Sequence, residues 1–217
     1  YLQRNIRTEK IEQQVQEIFS DAKVARMDID TVRGKNAHDV LIQQFEQRKI
    51  DILVGTQMVV KGLDFDNVDL VGILDADGLL HFADFRVNER AFQLMEQVSG
   101  RAGRKEATGK VMIQTANPSH PVLQIVQQHD YKKMFTEELE KRKQFFYPPF
   151  SRLIHLSFKH KMKEVVERAA YEFANALKNK YGSYIVGPAE PVIGRIRNQY
   201  LMELLLKLPR DSKIINQ

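Results

Sequence analysis

Cysteine is missing from all 217 residues, so the chain forms no disulfide and offers no thiolate zinc site. That fits a reducing cytoplasm. No run of about 18 apolar residues is present to span a bilayer. The start at Tyr1 has neither an initiator Met nor the basic, apolar and small-residue succession of a secretory signal. These absences argue against secretion and membrane insertion and suggest a fragment of a longer protein. Metal-ligand spacing such as HExxH is also lacking. His38, His81, His120, His129, His155 and His160 therefore read as surface or satisfied polar residues, and none as catalytic. An acidic excess is absent too. The 33 Lys and Arg outnumber the 28 Asp and Glu for a net charge of +5, which suits a polyanionic partner without identifying one.

What is present is the balance of a soluble globular protein, 43% hydrophobic and 28% charged, in a length that suits one large and one small domain. Thr8 to Phe19 sets Ile11, Val15, Ile18 and Phe19 at helical spacing. Lys23 to Met27 reads as a strand ending at Asp28 and Asp30, and Lys35 to Arg48 returns to helical period through Val40, Leu41 and Phe45. Asp51 to Val54 and Leu70 to Leu74 are short apolar runs, as expected of parallel strands covered by helices on both faces. Strand and helix alternate from about residue 2 to 115, which predicts right-handed βαβ units with ligand loops at the carboxyl ends of the strands.

After Asn117-Pro118 the pattern is helical through Lys143, until the stretch FFYPPF (145–150) forbids helix continuation. The expected division is a lobe over 1–122, a helical linker over 123–145 and an α+β domain over 146–217. In the last, Arg152 to Lys159 alternates as a half-buried strand, Val165 to Lys180 is a helix, and Tyr184 to Val186, Val192 to Ile196 and Tyr200 to Leu208 are strands. Gly187-Pro188 and Arg197-Asn198-Gln199 mark the turns.

Two loops carry candidate chemistry. GTQMVVKGLDF (55–65) follows a buried strand. Gly55 and Gly62 allow close backbone approach, Thr56 offers a hydroxyl and an N–H to phosphate, Lys61 adds charge, and Asp64 can accept a ribose hydroxyl. An ordinary βα turn would use the same residue types. In QVSGRAGR (97–104), Arg101 and Arg104 stand three apart, facing one side of a helical turn. A guanidinium pair suits the charge that spreads over a transferring γ-phosphoryl group. Gly100 and Gly103 keep that surface low at a cost of about 1 kcal/mol each relative to Ala in a helix. A solvated basic face is the alternative. Asp75 and Asp77 of the DAD segment read as capping or loop-ordering residues, with an Mg-binding acid pair as the other possibility. Arg195, Arg197, Asn198, Gln199 and Tyr200 form a basic, amide and aromatic cluster that either holds phosphates and stacks a base or is a solvated turn. The aromatics of FFYPPF suit either base stacking or interdomain packing.

GTQMVVKGLDF and QVSGRAGR, about forty residues apart, resemble motifs V and VI of superfamily 2 helicases. The intervening LVGILDADGLLHFADFRVNERAFQLMEQ, together with TEKIEQQVQEIF, DILVGTQ, YPPF and VGPAEPVIGRIRNQYLMELLLK, is similar to the primosomal protein N-prime family. The resemblance covers nearly the whole chain, and FFYPPF and VGPAEPVIGR oppose an RNA-helicase lobe.

The resemblance implies an α/β fold, a RecA-like helicase lobe 2 with a parallel sheet flanked by helices, plus a small α+β C-terminal domain that contacts DNA. It implies that Arg101 and Arg104 reach ATP phosphates across a lobe cleft, that Gln97 organises their loop, and that Gly62 and Asp64 lie beside the nucleotide. It also implies that Thr56, Gln57 and Lys61 touch the DNA strand, and it favours DNA contact for Arg195, Arg197 and Tyr200. The family is an ATP-driven 3′-to-5′ DNA translocase. It recognises stalled or branched forks and restarts replication with single-stranded-DNA-binding protein and other primosome proteins as partners. The chain departs from the family in lacking the phosphate-binding GxxxxGK loop, the Mg-binding DExH-type acids and the paired cysteines that hold two zinc ions. Alone, it is expected not to hydrolyse ATP.

Overall fold

Ile11 and Val15 give α1 (Thr8–Ile18) one apolar side. Its other anchor to β1 (Val24–Met27) is ionic: Arg26 lies 3.1 Å from Glu9 and 3.3 Å from Glu12, and the Thr8 hydroxyl donates to Asp28 at 2.6 Å. The computed structural model describes residues 8–28, 37–56, 68–100 and 109–210, and the chain divides between Met134 and Phe135 into two units.

In the first unit, β1 pairs in parallel with β2 (Ile52–Gly55) after a crossover through α2 (Ala37–Glu46). Met27, fully buried, is packed by Leu41, Ile42 and Phe45 of α2 and by Leu53 and Val68. A second parallel pair, β3 (Leu70–Ile73) with β4 (Lys110–Ile113), encloses α3 (Ala76–Leu80) and α4 (Val87–Ser99). Among the described residues these are two separate pairs. Leu70 and Met112, in the β3–β4 pair, are 54% and 64% exposed.

The inward side rests on the larger core, formed by Ala91, Phe92 and Met95 of α4 and Val122, Leu123, Ile125 and Val126 of α5 (Pro121–Gln127), with Ile73 and Ile113 against it. Pro121 suits the first turn of α5, where its missing N–H has no partner to lose, and the His120 ring accepts the Val122 N–H at 3.3 Å. These residues, with buried Met134 of α6 (Tyr131–Gln144), belong to the first unit's core, although 123–145 was expected to be a linker.

The second unit is an antiparallel sheet in the order β5 (Ser151–His160), β8 (Gln199–Pro209), β6 (Ile185–Ala189), with the two-residue β7 (Arg195–Ile196) also on β8. The long helix α7 (Lys163–Tyr181) covers one face: its Val166, Ala170 and Ala174 meet Met202 and Leu204. Strand alternation puts Met202, Leu204, Leu206 and Leu208 on that same face. Val192 and Ile193, expected in a strand, lie outside the ladder. Pro191 before them has no N–H to give, and only Arg195 and Ile196 pair with β8. Gly187 has φ of +101° at a register shift in β6, and a Cβ there would sit 2.9 Å from the Glu203 carbonyl oxygen, so glycine is required. Phe146 and Tyr147 pack within this unit. The Phe146 ring lies 6.3 Å from that of Tyr184, and the Lys207 ammonium 3.6 Å from the centre of the Tyr147 ring.

Candidate functional site

The carboxyl ends of the parallel strands gather several of the expected residues. β2 ends at Gly55, and Thr56 follows it, exposed. β3 leads into the DAD segment, whose two acids order the loop. Asp75 takes a left-handed conformation (φ 54°, ψ 53°) and accepts the Gly78 N–H at 3.2 Å, capping α3. A Cβ at Gly78 would meet an Asp75 carboxylate oxygen at 2.9 Å. Asp77 accepts from the Ala116 N–H at 2.7 Å and the Thr115 hydroxyl at 2.8 Å, tying α3 to the end of β4. Those two hydrogen bonds, foremost the one from Ala116, hold its carboxyl below the usual carboxylate range.

Between α3 and α4 stands an ion-pair knot that sequence reasoning passed over. Asp84 accepts from the Arg86 N–H at 2.9 Å and from the guanidinium groups of Arg90 at 2.7 Å and Arg86 at 3.3 Å. Partial burial would raise its pKa, but the Arg86 N–H and the two guanidiniums outweigh that and hold it low. The spacing of Arg86 and Arg90 was the available signal, since residues four apart share a helix side. Beside the knot runs an open groove of about 620 Å³, lined in part by Leu79, exposed Phe82, Val87, Leu94 and Gln97. Gln97, one of the expected nucleotide-side residues, is thus exposed on α4, three residues before the Gly100 that ends the helix. Gln57, Lys61, Gly62, Asp64, Arg101 and Arg104 lie outside the described residues.

In the second unit, Arg195, Arg197, Asn198, Gln199 and Tyr200 do come together, as the β7–β8 hairpin. Arg197 (φ 48°) and Asn198 (φ 63°) both take positive φ, as the favoured two-residue hairpin turn demands. Arg195 and Tyr200 are direct partners across the strands, and the guanidinium carbon sits 4.8 Å from the Tyr200 ring centre. The same guanidinium donates to the Asn198 side-chain oxygen. One face and one edge of the Arg195 fork are thereby fixed, and Arg197 stands exposed beside it. The tyrosine ring is covered by a cation, so the flat surface offered to a ligand here includes a guanidinium plane.

Comparison with known proteins agrees with this division. The Helicase conserved C-terminal domain family matches residues 3–106, and the Primosomal protein N C-terminal domain family matches residues 143–216. The replication restart protein PriA of Bacillus subtilis is 41% identical over 95% of this chain and 26% of its own length. Its namesake from Synechocystis is 42% identical over 96% of this chain and 25% of its own. That of Treponema pallidum is 42% identical over 93% and 31%. The chain thus spans roughly a quarter to a third of these curated relatives. A helicase-type α/β lobe followed by a small α+β domain is the architecture on which both domain matches fall, and the chain belongs to the PriA family, carrying that family's C-terminal domain.

Proposed function

We propose that this chain is the DNA-gripping half of an ATP-driven motor, and that its parent is a 3′-to-5′ DNA helicase that recognises stalled or branched forks and restarts replication through primosome assembly. The geometry that most supports DNA contact is the preformed Arg195 fork on the β7–β8 hairpin, stacked on Tyr200 and tied to Asn198. A guanidinium held in this way grips a phosphate, or stacks on a base, with little ordering left to do.

On this reading Thr56, Gln57 and Lys61 touch the DNA strand, while Gln97, Gly62, Asp64, Arg101 and Arg104 face ATP and Mg²⁺ bound by another lobe. The exposure of Gln97 at the end of α4, just ahead of the arginine motif, supports that assignment. The chemistry that ATP supplies is phosphoryl transfer, and the part assigned to Arg101 and Arg104 is to offset charge on the phosphoryl oxygens. Among the described residues no group of three or more His, Cys, Asp or Glu could hold a metal, and with no cysteine the two zinc ions of the parent would be held elsewhere. No described helix is long and apolar enough to cross a membrane. We place the parent in the cytoplasm, among single-stranded-DNA-binding protein and other primosome proteins.

Two measurements test the proposal. The purified chain should show no ATPase above background, because its sequence has no GxxxxGK loop to cradle the phosphates on which the arginines would act. Arg195→Gln/Arg197→Gln should weaken binding to branched and single-stranded DNA alike and flatten the salt dependence by about 0.7–0.9 in log–log slope for each phosphate no longer neutralised. An unchanged slope would remove the hairpin from the DNA interface. A second reading, a DNA-binding module that works without any motor, is favoured by the completeness of the hairpin within its own unit. It is separated from the first in the full-length parent, where the motor reading requires DNA-stimulated ATPase that is lost in Arg101→Ala/Arg104→Ala and the module reading requires none.

A further inference from the structure

We propose that the tip Pro191–Val192–Ile193, between β6 and β7, is an apolar wedge that inserts against the terminal base pair of a DNA duplex while Arg195 and Arg197 hold the adjoining phosphates. The inference rests on the DNA-contact reading of the hairpin.

Val192 is 92% exposed and Ile193 63% exposed, and Ile196 and Met162 are each at least half exposed. A single exposed aliphatic residue needs no explanation. Here two consecutive ones crown a tip that is clamped at both ends. On one side the Glu190 carboxylate reaches the Lys163 ammonium at the start of α7, 3.1 Å away, and the same Glu190 side chain packs so closely on Gly194 that a Cβ there would overlap it. On the other, the Gly194 carbonyl accepts the Leu201 N–H at 2.9 Å, closing the ladder onto β8. The three residues between these clamps are held away from the core, so their exposure belongs to the fold.

The company of the tip decides what it fits. The exposed Arg195 and Arg197 follow within five residues of Val192, and the exposed Lys161 precedes the α7 start to which Glu190 is tied. A protein partner that buried Val192 and Ile193 would also have to desolvate these cations, whereas a nucleic-acid end presents phosphates beside apolar base faces. Aliphatic side chains inserted at base steps, flanked by arginines on the backbone, unstack DNA in this manner. Of the ligands with both chemistries, the end or junction of a duplex is the one where a base pair offers an uncovered face.

The test uses the 217-residue chain and a duplex with a single-stranded 3′ extension, with 2-aminopurine placed at the last base pair. Binding should raise 2-aminopurine fluorescence severalfold as that base unstacks. Val192→Ser/Ile193→Ser should abolish the rise and reduce the affinity for junction DNA about tenfold, with single-stranded DNA affinity changed by less than about twofold. Val192→Leu/Ile193→Met, which keeps the tip apolar, should retain the rise. Both positions are exposed, so the serine variant should match the parent in thermal melting. If the serine variant keeps the fluorescence rise, the wedge is wrong. It is equally wrong if that variant only disperses a self-associated form while junction binding stays intact. These failures differ from failure of the underlying reading, which would appear as Arg195→Gln/Arg197→Gln leaving every DNA affinity unchanged.

Discussion

Asp77 shows how one side chain positions the loops where the motor chemistry is proposed. Its carboxylate joins α3 to the end of β4 through Thr115 and Ala116, and those hydrogen bonds depress its pKa in the folded chain. A depressed carboxylate contributes stability that is fully present above the pKa of the unfolded chain, about 3.9, and disappears as pH falls through the lower folded value. Asp77→Asn should therefore lower the urea midpoint of the first unit at pH 7. The difference from the parent should shrink once the pH drops below about 4. A gap that persists at low pH would mean that the link works by shape and not by charge. Its neighbour Asp75 acts differently, as a cap. Asp75→Ala should cost about 1 kcal/mol, and Gly78→Ala should cost a similar amount by driving the capping carboxylate off the Gly78 N–H, since the added carbon would lie 2.9 Å from it. Both are measurable by urea unfolding followed by circular dichroism.

At the level of elements, α4 both builds the core and presents the site. Ala91, Phe92 and Met95 point inward while Gln93 and Gln97 border the groove, as a helical period of 3.6 requires. Met95 is fully buried, so Met95→Ala should cost about 2–5 kcal/mol and loosen the helix on which Gln97 stands. A cost below about 1 kcal/mol, read from urea unfolding, would show that α4 is not anchored through this residue. Much of this was legible beforehand. The period of TEKIEQQVQEIF, the alternation of RLIHLSFK and the Arg197-Asn198 turn each specify local geometry through nearest neighbours, and α1, β5 and the β7–β8 hairpin appear where those patterns put them. What stayed hidden depends on tertiary partners. The Asp84 knot needs a loop to bring an acid back onto Arg86 and Arg90. Val192 and Ile193 read as strand because their β-branched side chains favour one, yet the Glu190–Lys163 pair and the Gly194–Leu201 bond hold the tip between them outside the sheet. The helices of 123–145 looked like a linker because no sequence period states which core Leu123, Ile125 and Val126 will join.

For the molecule as a whole, the proposed division of labour makes a thermodynamic demand. If nucleotide and DNA are coupled in the parent, each must change the affinity for the other by the same factor, and a ligand shifts an equilibrium only as far as it binds two states differently. On the proposed reading this chain carries the hairpin that grips DNA but no GxxxxGK loop, so by itself it should bind nucleotide too weakly to express any coupling. With Mg²⁺ and a non-hydrolysable ATP analogue at millimolar concentration, its affinity for branched DNA, read by fluorescence anisotropy, should shift by less than about twofold. The salt dependence should persist unchanged, because the proposed phosphate contacts lie on the hairpin. A larger shift would mean that nucleotide binds within these 217 residues and alters the DNA-binding surface directly. The arginine motif would then be a complete site, and the assignment of Arg101 and Arg104 to a partner lobe's nucleotide would have to be abandoned.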